Sequence, residues 1–93
     1  MKILAVCGFG VGSSMVLKMT IDKVAKEMGI QASVENTDLS TAKATQADVY
    51  FTSQELLNDL SSSVKNPVYP VKKYMDKEEV KMQLEKFLEE RGN

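Results

Sequence analysis

The sequence predicts an α/β fold in which four parallel strands, in the spatial order 2-1-3-4, form a sheet with helices on both faces. Segments rich in apolar and β-branched residues alternate along the chain with segments of helical periodicity, the pattern of consecutive β-α units. The first apolar segment, residues 2–6, is almost continuously hydrophobic, as in a strand covered on both faces. A chain of 93 residues has room for one core, so we expect a single Rossmann-like domain over residues 1–93.

The first β-α unit has the clearest predicted boundaries. Residues 2–6 form the strand, and Ser13 or Ser14 is placed to cap the helix that follows. Gly29 is the expected left-handed residue just after this helix. One apolar stripe at helical spacing marks the buried side of the helix: Leu17, Ile21, Val24, Ala25 and Met28.

The middle of the chain contributes two further strands. Residues 31–36 alternate apolar and polar side chains, which suits an edge strand, and residues 37–45 are predicted to be a loop with a short helical turn. Residues 48–52 have the composition of a central strand. Thr52 and Glu55 have the spacing of a capping box, and we expect them to begin a short helix. The apolar side of that helix comprises Leu56, Leu57 and Leu60, and a serine loop at 61–63 follows.

The last β-α unit begins with a strand that contains proline. Residues 66–71 include Pro67 and Pro70, which cannot donate to a strand ladder, so this strand is expected at a sheet edge. Asp76, with Glu79 three residues later, is predicted to start the final helix, and Gly92 to end it. The core stripe of this helix comprises Val80, Leu84, Phe87 and Leu88.

Composition excludes several functional classes. A net charge of −1 gives no reason to expect nucleic-acid binding. The chain has no histidine and one cysteine, which excludes an imidazole base, an internal disulfide and a cysteine-cluster metal site. No apolar run approaches the ~18 residues of a membrane span, and no signal peptide is recognisable. We therefore expect a cytoplasmic protein, without metal or cofactor, in a compartment that keeps its thiol reduced.

A glycine-rich segment after the first strand is the strongest candidate site. Ligands of open α/β sheets bind beyond the carboxyl ends of the strands, where Cys7 is expected. Glycines allow a sharp turn, and the free amides of a helix N-terminus favour an anion and a thiolate. We therefore expect Cys7 to lose its proton easily and to lie over a phosphate cradle. The cradle residues are Gly8, Phe9, Gly10, Val11, Gly12, Ser13 and Ser14.

Other glycine or cysteine motifs fit this segment less well. The glycine spacing departs from the G-x-G-x-x-G of dinucleotide-binding loops, no lysine precedes Ser13 as a Walker loop requires, and a second redox cysteine is absent. Cysteine-dependent phosphatases carry C-x5-R-S/T, which Cys7 and Ser14 match, but Ser13 replaces the arginine. A small phosphatase, a regulatory binding domain and a cysteine that merely packs in the core stay open as alternatives.

The segment from Cys7 to Met15, after the apolar strand, resembles the enzyme IIB component of the bacterial phosphoenolpyruvate-dependent sugar phosphotransferase system. Within that system the similarity is greatest to the ascorbate-type branch of the lactose/ascorbate group, supported by helix residues through Asp22. The resemblance implies a sheet like that of low-molecular-weight tyrosine phosphatases. It also implies that Cys7 accepts phosphate from a phosphohistidine of enzyme IIA and passes it to a carbohydrate held by the membrane component IIC.

On this hypothesis Cys7 is the nucleophile, and the amides from Gly8 to Ser14 hold the phosphate oxygens, with the two serine hydroxyls as further donors. Phe9 and Val11 are expected to project toward a partner, and packing on the body of the domain is the alternative. Three more apolar residues, at the start of the first helix, could adapt to two partners in turn or pack in the core: Met15, Val16 and Met19. A monomer with transient partners is the expected state.

Overall fold

The computed structural model describes residues 1–8 and 11–91, without the side chain of Val11. Within these residues, four strands and four helices alternate along the chain: β1 (Lys2–Cys7), α1 (Val11–Glu27), β2 (Ser33–Asp38), α2 (Leu39–Lys43), β3 (Val49–Thr52), α3 (Leu57–Ser61), β4 (Val68–Pro70) and α4 (Lys77–Glu90). The strands form one sheet in the order β2-β1-β3-β4, with every neighbouring pair parallel. The predicted fold class and strand order are confirmed.

Strand register places the carboxyl ends of β1, β2 and β3 side by side. Cys7 is opposite Asp38 of β2, and Val6 is opposite Thr52 of β3. Thr52 is completely buried, and its hydroxyl donates to the carbonyl of Val6 at 2.9 Å. This bond ties the residue before Cys7 to the neighbouring strand and holds the end of β1 in place.

Alternate residues of the central strands build a core on each face of the sheet, because side chains of a strand point to opposite faces in turn. From β1, Ile3 and Ala5 face the helices α1 and α4, whereas Leu4 and Val6 face α2 and α3. The first core comprises Ile3, Ala5, Leu17, Ile21, Val24, Val34, Val49, Phe51, Tyr69, Val71, Val80, Leu84 and Phe87. The second comprises Leu4, Val6, Ala42, Ala47, Tyr50 and Leu60. Helices therefore cover both faces, as predicted.

Two predicted helix boundaries are confirmed by their hydrogen bonds. Gly29 has φ of +73°, and the amide of Ile30 donates to the carbonyl of Ala25 at 2.8 Å, which closes the end of α1. Asp76 caps α4 by accepting from the amides of Glu78 and Glu79. The predicted end of α4 at Gly92 lies outside the described residues, and α4 itself ends at Glu90.

Two predicted caps are wrong. Helix α1 begins at Val11, so Ser13 and Ser14 lie inside its first turn rather than before it. Helix α3 begins at Leu57 without a side-chain cap, and the Thr52 hydroxyl is engaged with β1 instead. The proposed capping box of Thr52 and Glu55 therefore does not form.

Other differences from the predicted elements are shifts of a few residues. Strand β2 runs over Ser33–Asp38 and leads directly into the short helix α2, for which Asp38 is the cap. Ser61 closes α3 rather than lying in a loop. The carboxylate of Glu79 accepts from the amides of Lys72 and Lys73, at 2.7 and 2.9 Å, so it fastens the segment between β4 and α4.

Candidate functional site

Cys7 occupies the last position of β1 and lines an open cavity of about 220 Å³ at the carboxyl end of the sheet. The side chain of Cys7 is only 4% exposed. Three other segments of the chain contribute polar groups to the wall of the cavity. The lining residues are Cys7, Gly8, Ser13, Ser53, Glu55, Leu56 and Tyr74. The structure thus brings Cys7, Gly8 and Ser13 of the predicted site together.

The first turn of α1 faces the same region. An α-helix leaves the amides of its first turn without intrahelical acceptors, and the helix dipole adds partial positive charge there. Because α1 begins at Val11, Gly12 and Ser13 are its second and third residues. This arrangement suits an anionic group near the Cys7 sulfur, and a phosphoryl group is such an anion.

The thiol of Cys7 contacts the hydroxyl of Tyr74, with 3.7 Å between Sγ and Oη. Burial raises the pKa of the Cys7 thiol above its ordinary value, and the hydrogen bond with Tyr74 lowers the pKa by a smaller amount. The expectation of an easily ionised thiol is therefore wrong for this structure. Withdrawal of the sulfur from water disfavours the thiolate, so Cys7 rests as a neutral thiol.

Tyr74 was not predicted as a site residue. It lies 67 positions from Cys7, in the segment between β4 and α4. Thr20 of α1 holds this segment, because its hydroxyl donates to the carbonyl oxygen of Tyr74 at 2.5 Å. The same hydroxyl lies 3.1 Å from the carbonyl oxygen of Val16. No local pattern marks Tyr74, because its role depends on a contact between distant parts of the chain.

The two serines have different environments. Ser13 is exposed and lines the cavity, whereas Ser14 is completely buried and accepts a hydrogen bond from the side-chain amide of Asn36 at 3.2 Å. Asn36 of β2, also absent from the predicted site, thus holds the start of α1 against the sheet. Ser14 contributes to the position of the helix, and Ser13 faces the space where a ligand fits.

The glycine-rich segment is described in part. Phe9 and Gly10 lie outside the described residues, and so does the side chain of Val11, so their predicted roles stay predictions. Gly8 packs near Leu56: a Cβ atom built on Gly8 would lie 3.4 Å from Leu56 Cδ1. Gly12 is helical, and a Cβ atom built on it would have no described atom of another part of the structure within 4 Å.

Glu55 lies on the cavity rather than in a capping box. Burial and the contact with Cys7 raise the pKa of the neighbouring Tyr74 hydroxyl to about 12, and the Glu55 carboxylate contributes a smaller part of this increase.

Within the described part of the chain, no group of cysteine, aspartate and glutamate side chains is arranged to hold a metal ion. No helix described there is long and apolar enough to cross a bilayer.

An exposed apolar surface adjoins the site. It comprises the side chains of Met15, Val16 and Met19 on α1 together with Met75, whose exposed fractions range from 38% to 82%. The alternative that the α1 residues pack in the core is therefore wrong. Val16, Met19 and Met75 line a groove of about 370 Å³ together with Thr20, Lys23 and Lys77. Met75 directly follows Tyr74, so the groove and the Cys7 cavity share one segment.

Taken together, the fold and the site define a small α/β domain that presents a thiol at the carboxyl end of a parallel sheet, beside a helix N-terminus. Residues 2–86 match the family model of the PTS system, Lactose/Cellobiose specific IIB subunit. The chain therefore belongs to this family of phosphotransferases and is a IIB component of a sugar phosphotransferase system.

Two individual proteins refine this result. The chain is 33% identical over 90 residues to the "Ascorbate-specific PTS system EIIB component" of Mycoplasma pneumoniae, covering 95% of each chain. It also resembles the solved lactose-specific IIB component domain of the phosphoenolpyruvate:carbohydrate phosphotransferase system from Streptococcus pneumoniae, with a TM-score of 0.66. That match covers 96% of this chain and 95% of that chain at 14% identity, and it confirms the fold. The similarity to low-molecular-weight tyrosine phosphatases stays a prediction.

Proposed function

We propose that Cys7 is the phosphoryl carrier of this IIB component, accepting phosphate from a phosphohistidine of enzyme IIA and passing it to an ascorbate-like carbohydrate bound by membrane component IIC. The observation that carries the proposal is the position of Cys7, on an open cavity at the carboxyl end of β1 and just before the N-terminus of α1. An anion held there meets main-chain donors and the helix dipole. The 33% identity to an ascorbate-specific component supports the substrate class.

The neutral thiol is compatible with this transfer. When phosphate moves from the donor, the N–P bond of the phosphohistidine breaks and an S–P bond forms at Cys7. The thiol proton then ends on the imidazole nitrogen that gave up the phosphate, so charge and protons balance. In the second transfer the S–P bond breaks, an O–P bond forms on the carbohydrate, and its hydroxyl proton returns to Cys7. A thiol with a raised pKa is also less exposed to unwanted reactions between transfers.

The phosphatase alternative lacks its characteristic groups. Ser13 stands where the C-x5-R-S/T motif has arginine, and a hydroxyl cannot grip two phosphate oxygens or neutralise their charge. Asp76, a candidate general acid in the late part of the chain, is the cap of α4 and binds two amides there. A site that holds phosphate on sulfur without these groups favours transfer to a partner over hydrolysis.

The exposed apolar surface of Met15, Val16, Met19 and Met75 is the proposed contact for enzyme IIA. It adjoins the Cys7 cavity through the Tyr74–Met75 segment, so a partner bound to it would lie beside the cavity that holds the sulfur. Methionine side chains adapt their shape to different surfaces, which suits a carrier that meets IIA and IIC in succession. We further propose that the chain acts as a monomer in the cytoplasm, where its thiol stays reduced.

Phosphate labelling tests the carrier function. The full chain is incubated with labelled phosphoenolpyruvate, the general phosphotransferase proteins and an ascorbate-type enzyme IIA, and labelled protein is followed with time. We expect label on the wild-type chain and none on Cys7→Ser, whose fold is checked by circular dichroism. The same mixture without IIA is the control for non-specific labelling. Label that persists in Cys7→Ser would exclude Cys7 as the carrier, and rapid release of free phosphate would favour the phosphatase.

A further inference from the structure

We infer that the hydroxyl of Tyr74 is a catalytic hydrogen-bond donor to the phosphoryl group on Cys7, and that it reverses its hydrogen-bonding direction in each transfer cycle. The inference rests on the proposed carrier function of Cys7. It is based on the contact of 3.7 Å between Cys7 Sγ and Tyr74 Oη, and on their shared cavity. Tyr74 comes from a different segment than the glycine-rich loop, so it adds a donor from a distant part of the chain to the Cys7 cavity.

The backbone around Tyr74 is anchored on both sides. The carbonyl of Tyr74 accepts from Thr20 on α1, and the amides of Lys72 and Lys73 donate to Glu79 on α4. The amide of Asp76 donates to the carbonyl of Lys73 at 3.0 Å. These bonds hold the segment between the two helices, so the ring reaches the cavity from a fixed support.

The direction of the Cys7–Tyr74 bond must change when the sulfur is phosphorylated. In the resting state the thiol donates to the hydroxyl oxygen of Tyr74. After transfer the sulfur carries phosphate and has no proton, so the thiol can no longer donate. The Tyr74 hydroxyl then keeps the contact only by donating its own proton to a phosphate oxygen or to the sulfur. The covalent changes remain those of the carrier cycle, and Tyr74 neither gains nor loses a proton.

The environment of Tyr74 keeps that proton in place. Burial, the contact with Cys7 and the charge of Glu55 raise the pKa of the hydroxyl to about 12, and the hydrogen bond with Ser53 lowers the pKa by a smaller amount. The hydroxyl is therefore a donor throughout the neutral pH range. Ser53 lines the same cavity.

Tyr74→Phe separates this role from packing, because it keeps the ring and removes only the hydroxyl. Tyr69→Phe is the matched control: Tyr69 is a buried tyrosine whose hydroxyl binds Glu90 rather than Cys7. Loss of one hydrogen bond to the charged phosphoryl group is expected to lower the rate of transfer by a factor of roughly 10 to 100. With IIA as donor, we expect Tyr74→Phe to lower the labelling rate of Cys7 by that factor and Tyr69→Phe to leave it near wild type.

A second measurement probes the resting thiol, which is the single thiol of the chain. The rate of iodoacetamide alkylation is measured against pH. Because the Tyr74 hydroxyl can donate to the sulfur once the thiolate forms, this contact lowers the pKa of Cys7, and its loss in Tyr74→Phe is expected to move the midpoint of the profile to higher pH. The midpoint of Tyr69→Phe is expected to match that of the wild type. A merely structural role for Tyr74 would not move this midpoint.

Each outcome decides the inference. Labelled wild type with slow labelling of Tyr74→Phe and a shifted midpoint supports it. Labelled wild type with equal rates for both phenylalanine variants overturns it while the carrier function stands. An unlabelled wild type overturns both. If circular dichroism shows that Tyr74→Phe is unfolded, Tyr74→His, whose ring N–H can donate, and Tyr74→Leu, which has no donor, take its place. Faster labelling of Tyr74→His than of Tyr74→Leu would support the inference, and equal rates would overturn it.

Discussion

Thr20→Val tests whether α1 holds the segment that carries Tyr74. Thr20 is 6% exposed, and its hydroxyl donates to the carbonyl of Tyr74 across 54 positions of sequence. Valine has nearly the same shape as threonine and a similar helix propensity, so the substitution removes the hydroxyl with little change in packing. The carbonyl of Tyr74 then loses this donor in a half-buried position.

The expected cost follows from the lost bond. One net hydrogen bond contributes about 1 kcal/mol to the free energy of unfolding, and a buried acceptor without a partner costs somewhat more. In a domain of this size, 1 kcal/mol lowers the Tm by roughly 4–8 °C. We expect Thr20→Val to lower the Tm by at least that amount, and Thr20→Ser, which keeps the hydroxyl, to lower it less.

Thermal melts followed by circular dichroism measure the effect, with Thr45→Val as the matched control. The hydroxyl of Thr45 also donates to the carbonyl four residues earlier, that of Thr41, at 2.7 Å, but it makes no bond to a distant segment. We expect a change below about 0.5 kcal/mol for Thr45→Val. Equal melting temperatures for Thr20→Val and Thr45→Val would refute the view that Thr20 anchors the Tyr74 segment.

Two further predictions concern the thiol and the apolar surface. Because burial raises the pKa of Cys7 above 9.0, the folded chain keeps a proton that the unfolded chain loses, so the free energy of unfolding should fall as pH rises above about 9. Urea unfolding measured across this pH range should show a smaller fall in the free energy of unfolding for Cys7→Ala than for the wild type. An identical pH dependence for the two proteins would contradict the raised pKa of Cys7. On the apolar surface, Met19→Glu should raise the KM for phosphorylated IIA by about 5-fold or more with little change in kcat. Met82→Glu, at an exposed position of α4, is the control, and equal KM values for both variants would place the IIA contact elsewhere.

The strand order and the helices on both faces of the sheet were predictable because they depend on local composition and periodicity. The local patterns are continuous apolar residues in β1, helical stripes in α1 and α4, and the prolines in and just before β4. Each pattern restricts where its element can lie in the fold. Gly29 and Asp76 were predictable for the same reason, since a left-handed glycine and an aspartate cap act on their immediate neighbours.

The errors arose where a local pattern competed with a distant contact. Thr52 has the spacing of a helix cap, yet its hydroxyl binds the carbonyl of Val6 on the adjacent strand. Ser14 resembles a cap, yet it is buried within the helix against Asn36. In both cases a residue of β1 or β2 gave the hydroxyl a hydrogen-bond partner that sequence spacing does not reveal.

The sequence by itself determined the class of fold, the position of Cys7 at the end of the first strand and the family resemblance, because these depend on residues close together in the chain. Only the tertiary structure decided the direction of the pKa shift of Cys7 and the identity of the residue that contacts its sulfur. Burial by the surrounding segments raises the pKa of Cys7, and the folding of the segment before α4 brings Tyr74 to within 3.7 Å of the sulfur. Desolvation and contacts between distant segments arise from packing, and no spacing within the loop encodes them.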